Sequence, residues 1–278
     1  MRAVRRLSGR SARRRAGLFV AEGPQAVREA VAAHRQHPGG VVRELYATPD
    51  AADRHPQILD AARGAGLMPR PVTDEVLAAM AETVTPQGLL AVCRLVDVPT
   101  ATALAGRPRL VAVLARVRDP GNAGTVLRAA DAAGAEAVVL TDASVDVHNP
   151  KCVRASAGSL FHLPVVTGVP LPEAVDALRV AGLTVLAADG EGDLDLDDLL
   201  DAAAAGRPGG LAGPVAWVFG NEAWGLPAED LALVDGVVRV PVHGRAESLN
   251  LATAATVCLY ASARAQRRAA GCRAELPG

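Results

Sequence analysis

The sequence predicts an α/β protein with two domains. Apolar runs alternate along the chain with amphipathic stretches, a pattern typical of strands followed by helices. The chain has 278 residues, of which 50% are hydrophobic and 21% charged, so it is long enough for two ordinary domains. Two late strands end in Gly-rich or polar loops, and open α/β sheets bind ligands at that edge.

The first domain is predicted to span residues 1–98. Its apolar runs predict strands at 18–23, 41–47, 67–72 and 88–95, and the stretches between them predict helices at 24–36, 51–63 and 73–81. Residues 99–109 mix Pro, Thr, Gly and Arg without clear periodicity, which indicates a linker. The second domain then covers residues 110–278.

The second domain begins with the strand LVAVLA at Leu110, the loop RDPGNAG, a helix over 125–133 and the strand AVVLTD. No G-x-G-x-x-G or P-loop pattern occurs there, so neither a dinucleotide fingerprint nor an ATPase loop is indicated. Strands over 215–219 and 237–242 later lead into polar loops. A long helix is predicted from Ser248, whose hydroxyl we expect to cap its first turn.

Positive charge is concentrated at the start of the chain, although the formal net charge is only -1. The first fifteen residues hold no acid and these arginines: Arg2, Arg5, Arg6, Arg10, Arg13, Arg14 and Arg15. The run indicates either a disordered basic tail or an arm that binds phosphate. Aromatic residues make up only 3% of the chain, which argues against recognition of RNA by extensive base stacking.

The cysteines Cys93, Cys152, Cys258 and Cys272 lack metal-ligand spacing, so we expect buried or incidental thiols and no metal. No apolar run reaches the length of a membrane span. The arginine-rich start is not followed by the apolar core of a signal peptide. These features favour a soluble protein of the cytoplasm.

The stretch NAGTVLR suggests a site for an anion or a hydroxyl group. Residues four apart share a helix face and side chains lean toward the helix N-terminus, so Gly124 leaves room for Arg128 to reach back toward Asn122. For the heptapeptide alone, a surface arginine beside a turn asparagine is the simpler interpretation.

Three segments in order resemble the motifs of the SpoU (TrmH-type) RNA ribose 2'-O-methyltransferases of the SPOUT superfamily: PGNAGTVLRAADAAGA, FGNEAWGL and VPVHGRAESLN. The first unit, with RRRAGLFVAEGPQAVREA and TPQGLLAV, resembles the L30e-like substrate-binding domain of that family. The resemblance implies a mostly parallel sheet closed by a deep C-terminal trefoil knot. It also implies S-adenosylmethionine as cofactor and a homodimer whose interface contains the last helix.

The resemblance implies three sets of site residues. The catalytic set is Asn122, Arg128, Glu222, Ser248 and Asn250. The cofactor-binding set is Gly220, Asn221, Gly225, Val240 and Leu249. The RNA-binding set is Arg13, Arg14, Arg15, Lys151 and Arg154, from the basic start and from a segment that borders the active site in the family.

The proton acceptor has two candidate descriptions. Arginine is the family's proposed base, which implies Arg128, but a guanidinium has a pKa above about 12 and would have to be strongly perturbed. Alternatively, Arg128 binds the adjacent phosphate and lowers the pKa of the ribose hydroxyl, while Glu222 or water takes the proton.

The sequence therefore predicts an S-adenosylmethionine-dependent methyltransferase acting on a ribose 2'-hydroxyl, with 23S ribosomal RNA as the favoured target. Within the enzyme class, the alternative is a transfer-RNA 2'-O-methyltransferase. In another class, the alternative is a non-catalytic, ribosome-associated RNA-binding protein that keeps the fold.

Overall fold

The structure is a computed structural model that describes residues 1–207 and 210–274, without the side chains of 272–274. Up to residue 96, the elements are α1 (Arg2–Arg5), a 3-10 turn (Arg6–Ser8), α2 (Arg10–Ala16), β1 (Leu18–Glu22), α3 (Pro24–Gln36), β2 (Val42–Ala47), α4 (Pro49–Arg54), α5 (Pro56–Gly64), β3 (Arg70–Pro71), α6 (Asp74–Ala78) and β4 (Leu89–Arg94).

The following elements are α7 (Thr100–Leu104), β5 (Leu110–Leu114), α8 (Pro120–Ala133), β6 (Ala137–Thr141), α9 (Pro150–Ala155), a 3-10 turn (Ser159–Phe161), β7 (Val165–Val169), α10 (Leu171–Val180), β8 (Thr184–Ala188), β9 (Leu194–Asp195), α11 (Leu196–Ala204), β10 (Val215–Phe219), α12 (Ala228–Leu231), β11 (Gly236–Arg239) and α13 (Leu251–Ala274). Two compact units result. The first comprises Met1–Val96 and Asp146–His162, and the second comprises Asp97–Val145 and the chain from Leu163 onward.

The first unit is built on a mixed sheet with the strand order β1-β4-β2-β3. β4 pairs antiparallel with both β1 and β2, and β3 pairs parallel with β2 at the edge. The strand predicted over 67–72 is only two residues long, and its second residue, Pro71, has no N–H to extend the ladder. The single helix predicted over 51–63 is divided into α4 and α5, each of which begins at a proline.

The arginine-rich start is helical and packed, so the alternative of a disordered tail is wrong. Val4 and Leu7 are each 5% exposed and lie in an apolar cluster with Leu77 and Met80. The remaining arginines of the run, apart from Arg13, are exposed: Arg2, Arg5, Arg6, Arg10, Arg14 and Arg15. The helices therefore present an arginine-rich surface from a fixed position.

The segment Asp146–His162 belongs to the first unit, although it lies between β6 and β7 in sequence. Phe19 of β1 packs against the His148 ring, with 4.8 Å between ring centroids, and stacks on Phe161 at 6.0 Å. His162 contacts Glu29 of α3, with 3.2 Å between Nε2 and Oε2. Apolar and polar contacts thus attach this segment to β1 and α3.

Arg13 is the charged centre of this attachment. The residue is 2% exposed, and its Nε and Nη2 donate to Asp146 Oδ2 at 2.9 and 2.7 Å. Its Nη1 donates to the carbonyl oxygens of Leu7 and Ser8. Burial opposes ionisation of Asp146, but contacts from His148 and Arg13 hold the pKa of this carboxyl well below its usual range.

The second unit is built on a sheet of order β7-β6-β5-β10-β8-β11-β9, in which every pairing is parallel. Alternate residues such as Val111 and Val113 pack in a cluster with α7 and α10. On the other face, Trp217 is fully buried and its Nε1 donates to Ser262 Oγ of α13 at 2.8 Å. Both faces are covered, as the buried, apolar strands of a parallel sheet require.

The span predicted as a linker, residues 99–109, contains α7, whose Ala103 and Leu104 are buried in the second unit's core. Just before the span, the backbone N–H of Val98 donates to the Val165 carbonyl at 2.8 Å. Residues 99–109 therefore contain a short helix that contributes two side chains to the core of the second unit, while most of the other residues of the span are exposed.

Cys93, Cys152 and Cys258 are buried, and burial raises the pKa of Cys258 to about 12. The side chain of Cys272 lies outside the part of the chain that the structure describes. Within the described residues, no group of three or more His, Cys, Asp or Glu is arranged to hold a metal ion. No helix in the described ranges is long and apolar enough to cross a membrane.

Arg13→Ala should destabilise the protein by about 3 kcal/mol, because it leaves the Asp146 carboxylate without its buried partner. Urea unfolding at pH 7 measures the loss, and the matched change Arg14→Ala, of an exposed neighbour, should be almost neutral. Asp146 has a depressed pKa in the folded state, so its contribution is present at neutral pH and is lost as the pH falls below about 4. Equal unfolding midpoints for the two variants would contradict this role.

Candidate active site

Three side chains from distant parts of the second unit form a chain of hydrogen bonds. Asn250 Nδ2 donates to Asn122 Oδ1 at 3.2 Å, and Asn122 Nδ2 donates to Glu222 Oε1 at 3.1 Å. Each residue comes from a different predicted motif, so the fold brings the three motifs together. We call this group the Asn122–Glu222–Asn250 chain.

Asn122 is held by the N-terminus of α8. Asp119 caps this helix, and its Oδ1 accepts from the Asn122 backbone N–H at 2.8 Å. The helix starts at Pro120, five residues before the predicted start at Thr125, because an Asp cap followed by a first-turn proline favours initiation there. Asn122 therefore stands on a helix and not in a loop.

Asn250 is oriented in the same way by α13. Its Oδ1 accepts from the backbone N–H groups of Ala252 at 2.9 Å and Thr253 at 3.4 Å, so Asn250 caps the helix. The prediction that Ser248 is the cap is wrong, because the helix begins at Leu251. Since the amide oxygen faces its own helix, the Nδ2 group is left to point at Asn122.

Glu222 lies in a tight turn whose ends are paired. The backbone of Asn221 exchanges two hydrogen bonds with that of Gly225, at 2.9 and 3.0 Å, and Gly225 adopts a left-handed φ of 65°. The Asn221 side chain is 6% exposed, donates to the Arg116 carbonyl at 3.0 Å and accepts from the Ala223 N–H at 2.9 Å. The polar atoms of Asn221 therefore hold the turn itself.

Gly220 is required by the same turn. A Cβ built on Gly220 would lie 2.5 Å from the carbonyl carbon of Gly225 and 2.8 Å from Leu226 Cγ. The resemblance implies that Gly220 binds the cofactor, and the close approach of Gly225 and Leu226 gives a separate structural reason for a glycine at this position.

Val240 and Leu249 lie near the two ends of an irregular segment, residues 240–250, and both are partly buried. Most of the segment between them, residues 242–248, is exposed, including Ser248. The strand predicted to reach Val242 ends at Arg239 instead. Exposed backbone without regular structure has amide and carbonyl groups available for a ligand.

Among the hydrogen bonds of the described residues, none joins Arg128 or Ser248 to the Asn122–Glu222–Asn250 chain. Arg128 is exposed on α8, and Gly124, one turn earlier on the same helix, is buried.

Sequence reasoning missed Arg116, which follows β5. Its φ of 59° is left-handed, and its Nε donates to Oδ2 of the buried Asp230 at 2.7 Å. A second contact joins Nη2 to Glu229 Oε1 at 3.0 Å. Asp230 lies 114 positions away, so no local pattern marks the pair; only the acids at the start of α12 were visible in sequence.

A cavity of about 440 Å³ opens beside Arg116 and Asp230. It is lined by the residues that follow β5 and β6 and by Pro170 to Pro172, and it includes the carboxylates of Asp142 and Glu229. None of Asn122, Glu222 or Asn250 belongs to its lining. An acidic wall does not suit a phosphate, so we place the active site at the hydrogen-bonded chain.

The predicted RNA-binding residues all belong to the first unit and differ in exposure. Arg14, Arg15 and Lys151 are exposed. Arg154 is partly exposed and lies 3.5 Å from Glu22 Oε2. Arg13 does not fit this role, because it is buried and its donors are engaged by Asp146 and the backbone.

Known proteins match the chain over nearly its whole length. Residues 109–260 match the SpoU rRNA Methylase family, and residues 1–91 match the MRM3-like substrate binding domain. The chain is 33% identical over 256 residues to the 23S rRNA (guanosine(2553)-2'-O)-methyltransferase RlmP of Bacillus subtilis, and the match covers 92% of each protein.

Solved structures give the same result. The SpoU methyltransferase AviRb from Streptomyces viridochromogenes, in complex with AdoMet, is 30% identical with a TM-score of 0.77, covering 96% of this chain and 98% of that one. An AdoMet-bound rRNA methyltransferase from Sinorhizobium meliloti is 28% identical with a TM-score of 0.77, covering 95% and 93%.

A parallel α/β sheet that gathers polar motif residues beyond its strands, in a chain that begins with a substrate-binding domain, defines an RNA-modifying enzyme of two domains. The chain belongs to the SpoU rRNA methylase family, whose domain covers more than half of it. The family and the mostly parallel α/β fold expected from the sequence are therefore confirmed.

Gly220→Ala should lower the stability of the protein by about 1 to 3 kcal/mol, because the added Cβ meets backbone atoms that cannot move aside. Thermal unfolding checks the change. Gly244→Ala is the matched control, since nothing lies within 4 Å of a Cβ at Gly244. An unchanged melting temperature in Gly220→Ala, with normal cofactor affinity, would show that the turn does not need glycine.

Proposed function

We propose that this chain transfers a methyl group from S-adenosylmethionine to a ribose 2'-hydroxyl of 23S ribosomal RNA. The observation that carries the proposal is the hydrogen-bonded Asn122–Glu222–Asn250 chain, which joins all three family motifs. The relative from Bacillus subtilis is a 23S rRNA 2'-O-methyltransferase, which favours ribosomal over transfer RNA. A non-catalytic binding protein would not need these polar groups to converge.

The residues beyond β10 and β11 fit S-adenosylmethionine. Adenosine needs hydrogen-bonding groups beside an apolar surface, and residues 240–250 have exposed backbone between the partly buried Val240 and Leu249. We assign the backbone of this segment and of the turn formed by Gly220, Asn221 and Gly225 to holding the cofactor. When bound, the cofactor supplies an electrophilic methyl group.

Glu222 is the residue that we assign to receive the hydroxyl proton. Asn122 binds its Oε1 and thereby turns this exposed carboxylate, whose Oε2 can face the ribose. Asn250 fixes the orientation of the Asn122 amide. Positioning of this kind supplies much of the catalysis when a nucleophile must attack in line.

Arg128 and Ser248 are assigned to the substrate. Arg128 is exposed and permanently charged, so it suits the phosphate next to the target ribose better than it suits a base. Ser248, exposed in the irregular segment, is assigned as a hydrogen-bonding positioner.

The first unit supplies affinity for RNA. The exposed arginines of α1 and α2, together with Lys151 and Arg154, give a positive surface for phosphates. Binding should therefore weaken steeply as salt rises. We expect the enzyme in the cytoplasm, where its proposed substrate, ribosomal RNA, lies.

The assembly that we propose is a homodimer formed through α13, with the trefoil knot of the family in each protomer. The face of α13 opposite Ser262 exposes Val257 and Tyr260, with relative exposures of 39% and 50%. Exposed apolar side chains on a long helix are typical of a two-fold interface.

The function is tested by incubating the protein with S-adenosylmethionine and unmodified 23S ribosomal RNA and mapping protected 2'-hydroxyls by alkaline cleavage. The wild type should protect one nucleotide.

Arg128→Ala should lose most methyl transfer and still bind the cofactor, whereas Arg207→Ala, of an exposed arginine beyond α11, should behave normally. Methylation of transfer RNA with no effect on ribosomal RNA would overturn the proposal.

Glu222→Gln should lower kcat about 100-fold, the size expected when a general base is removed. The amide keeps an oxygen that accepts from Asn122, so cofactor affinity and stability should be unchanged. Single-turnover methylation measures the effect, with Glu173→Gln, of an exposed acid on α10, as the control. A kcat within twofold of wild type would show that water or another group takes the proton.

Val257→Glu should convert the dimer to a monomer, because it introduces a charge into the proposed interface without disturbing the protomer core. Light scattering at micromolar concentration measures the mass. The matched control is Val180→Glu, at an 89% exposed valine of α10. A fully active wild-type monomer would refute the dimer.

A further inference from the structure

Trp224 is a large aromatic side chain that the fold does not bury. It is 55% exposed, whereas the chain's other tryptophan, Trp217, is fully buried and hydrogen-bonded to Ser262. Aromatic residues make up only 3% of the chain, and yet this one is not packed in the core. Packing of the protomer therefore does not explain why tryptophan stands at this position.

The guanidinium of Arg118 lies over the indole, with 5.2 Å between Arg118 Cζ and the ring centroid. This geometry is a cation–π contact. Arg118 is itself exposed. The two side chains thus form an exposed, positively charged aromatic pair, which we call the Arg118–Trp224 platform.

The platform is held by a rigid turn. Trp224 stands between Asn221 and Gly225, whose backbones exchange two hydrogen bonds, and the Asn221 amide ties the turn to Arg116. An aromatic ring presented from such a turn loses little entropy when it binds a ligand.

The platform flanks the proposed catalytic residues on both sides in sequence. Trp224 follows Glu222 by two positions, and Arg118 precedes Asn122 by four. Glu222 and Asn122 are hydrogen-bonded to each other, so the residues that flank them stand at the same site.

We propose that the Arg118–Trp224 platform stacks on a base of the substrate RNA at the methylated position, and this inference rests on the proposed function. Proteins that select one nucleotide of a structured RNA bind a base that is splayed out of its helical stack, and aromatic or guanidinium planes replace the lost stacking. An indole accepts any base by its π face, and the arginine adds attraction for the neighbouring phosphate. One tryptophan serves one base, which agrees with the low aromatic content.

The base stack makes a quantitative prediction. Replacement of a stacked aromatic residue by alanine weakens RNA binding about 5- to 150-fold per base. Trp224→Ala should therefore raise the KM for RNA by this factor, while Trp224→Phe, which keeps a π face, should restore most of the loss. Val180→Ala, at another exposed apolar residue, is the control.

The experiment measures four quantities on the full-length protein: methylation kinetics with 23S ribosomal RNA, affinity for S-adenosylmethionine, mass by light scattering and tryptophan fluorescence during RNA titration. Wild-type emission should be quenched by RNA through Trp224, because Trp217 is buried. Trp224→Phe should lose the quenching and keep near-normal methylation.

The outcomes separate the possible occupants. A weaker cofactor affinity in Trp224→Ala with an unchanged KM for RNA would assign the indole to adenine of the cofactor, and a loss of dimer mass would assign it to a second copy of the chain; either overturns the proposal. A normal KM for RNA in Trp224→Ala also overturns it. Failure of the wild type to methylate ribosomal RNA would instead refute the proposed function.

Discussion

The amide of Asn122 receives a hydrogen bond from Asn250 and gives one to Glu222, and so it joins segments that lie 128 and 100 residues away. An amide has one accepting and one donating end, which makes this chain directional. The direction starts at α13, whose N-terminal N–H groups hold the Asn250 oxygen. Each hydrogen bond at the surface contributes only about 1 kcal/mol. The positions of Asn122 and Asn250 therefore depend on the N-termini of α8 and α13, which hold these two residues.

Sequence reasoning found those elements whose signals are local. The apolar run over 215–219 is β10, and the Asp-Pro start of α8 was legible in principle because cap and first-turn preferences are strong. The cap of α13 was not decided by propensity, since Ser248 and Asn250 both suit it. The path of the chain decides, and it leaves Ser248 in the irregular segment.

Charged residues show where local pattern stops being informative. Seven arginines in a run indicate a solvated surface, yet Arg13 is buried against Asp146, 133 positions away. Arg116 pairs with Asp230 across 114 positions. A sequence pattern shows where charged residues are but not which distant residue each one pairs with. The inclusion of residues 146–162 in the first unit was therefore not predictable. Deleting the first domain would expose that segment, which makes point substitutions the cleaner test of RNA binding.

The turn FGNEAWGL shows that one motif combines two kinds of residue. Three residues are needed for the turn itself. Gly220 has no room for a Cβ, the Asn221 amide is hydrogen-bonded to backbone groups, and Gly225 adopts a left-handed conformation. Glu222 and Trp224, between them, are exposed. The turn accounts for the first three and not for these two, which agrees with the proposed roles of Glu222 in proton transfer and of Trp224 in binding a base. Side chains carried by a turn whose ends are joined by two hydrogen bonds lose little conformational entropy when they bind a ligand.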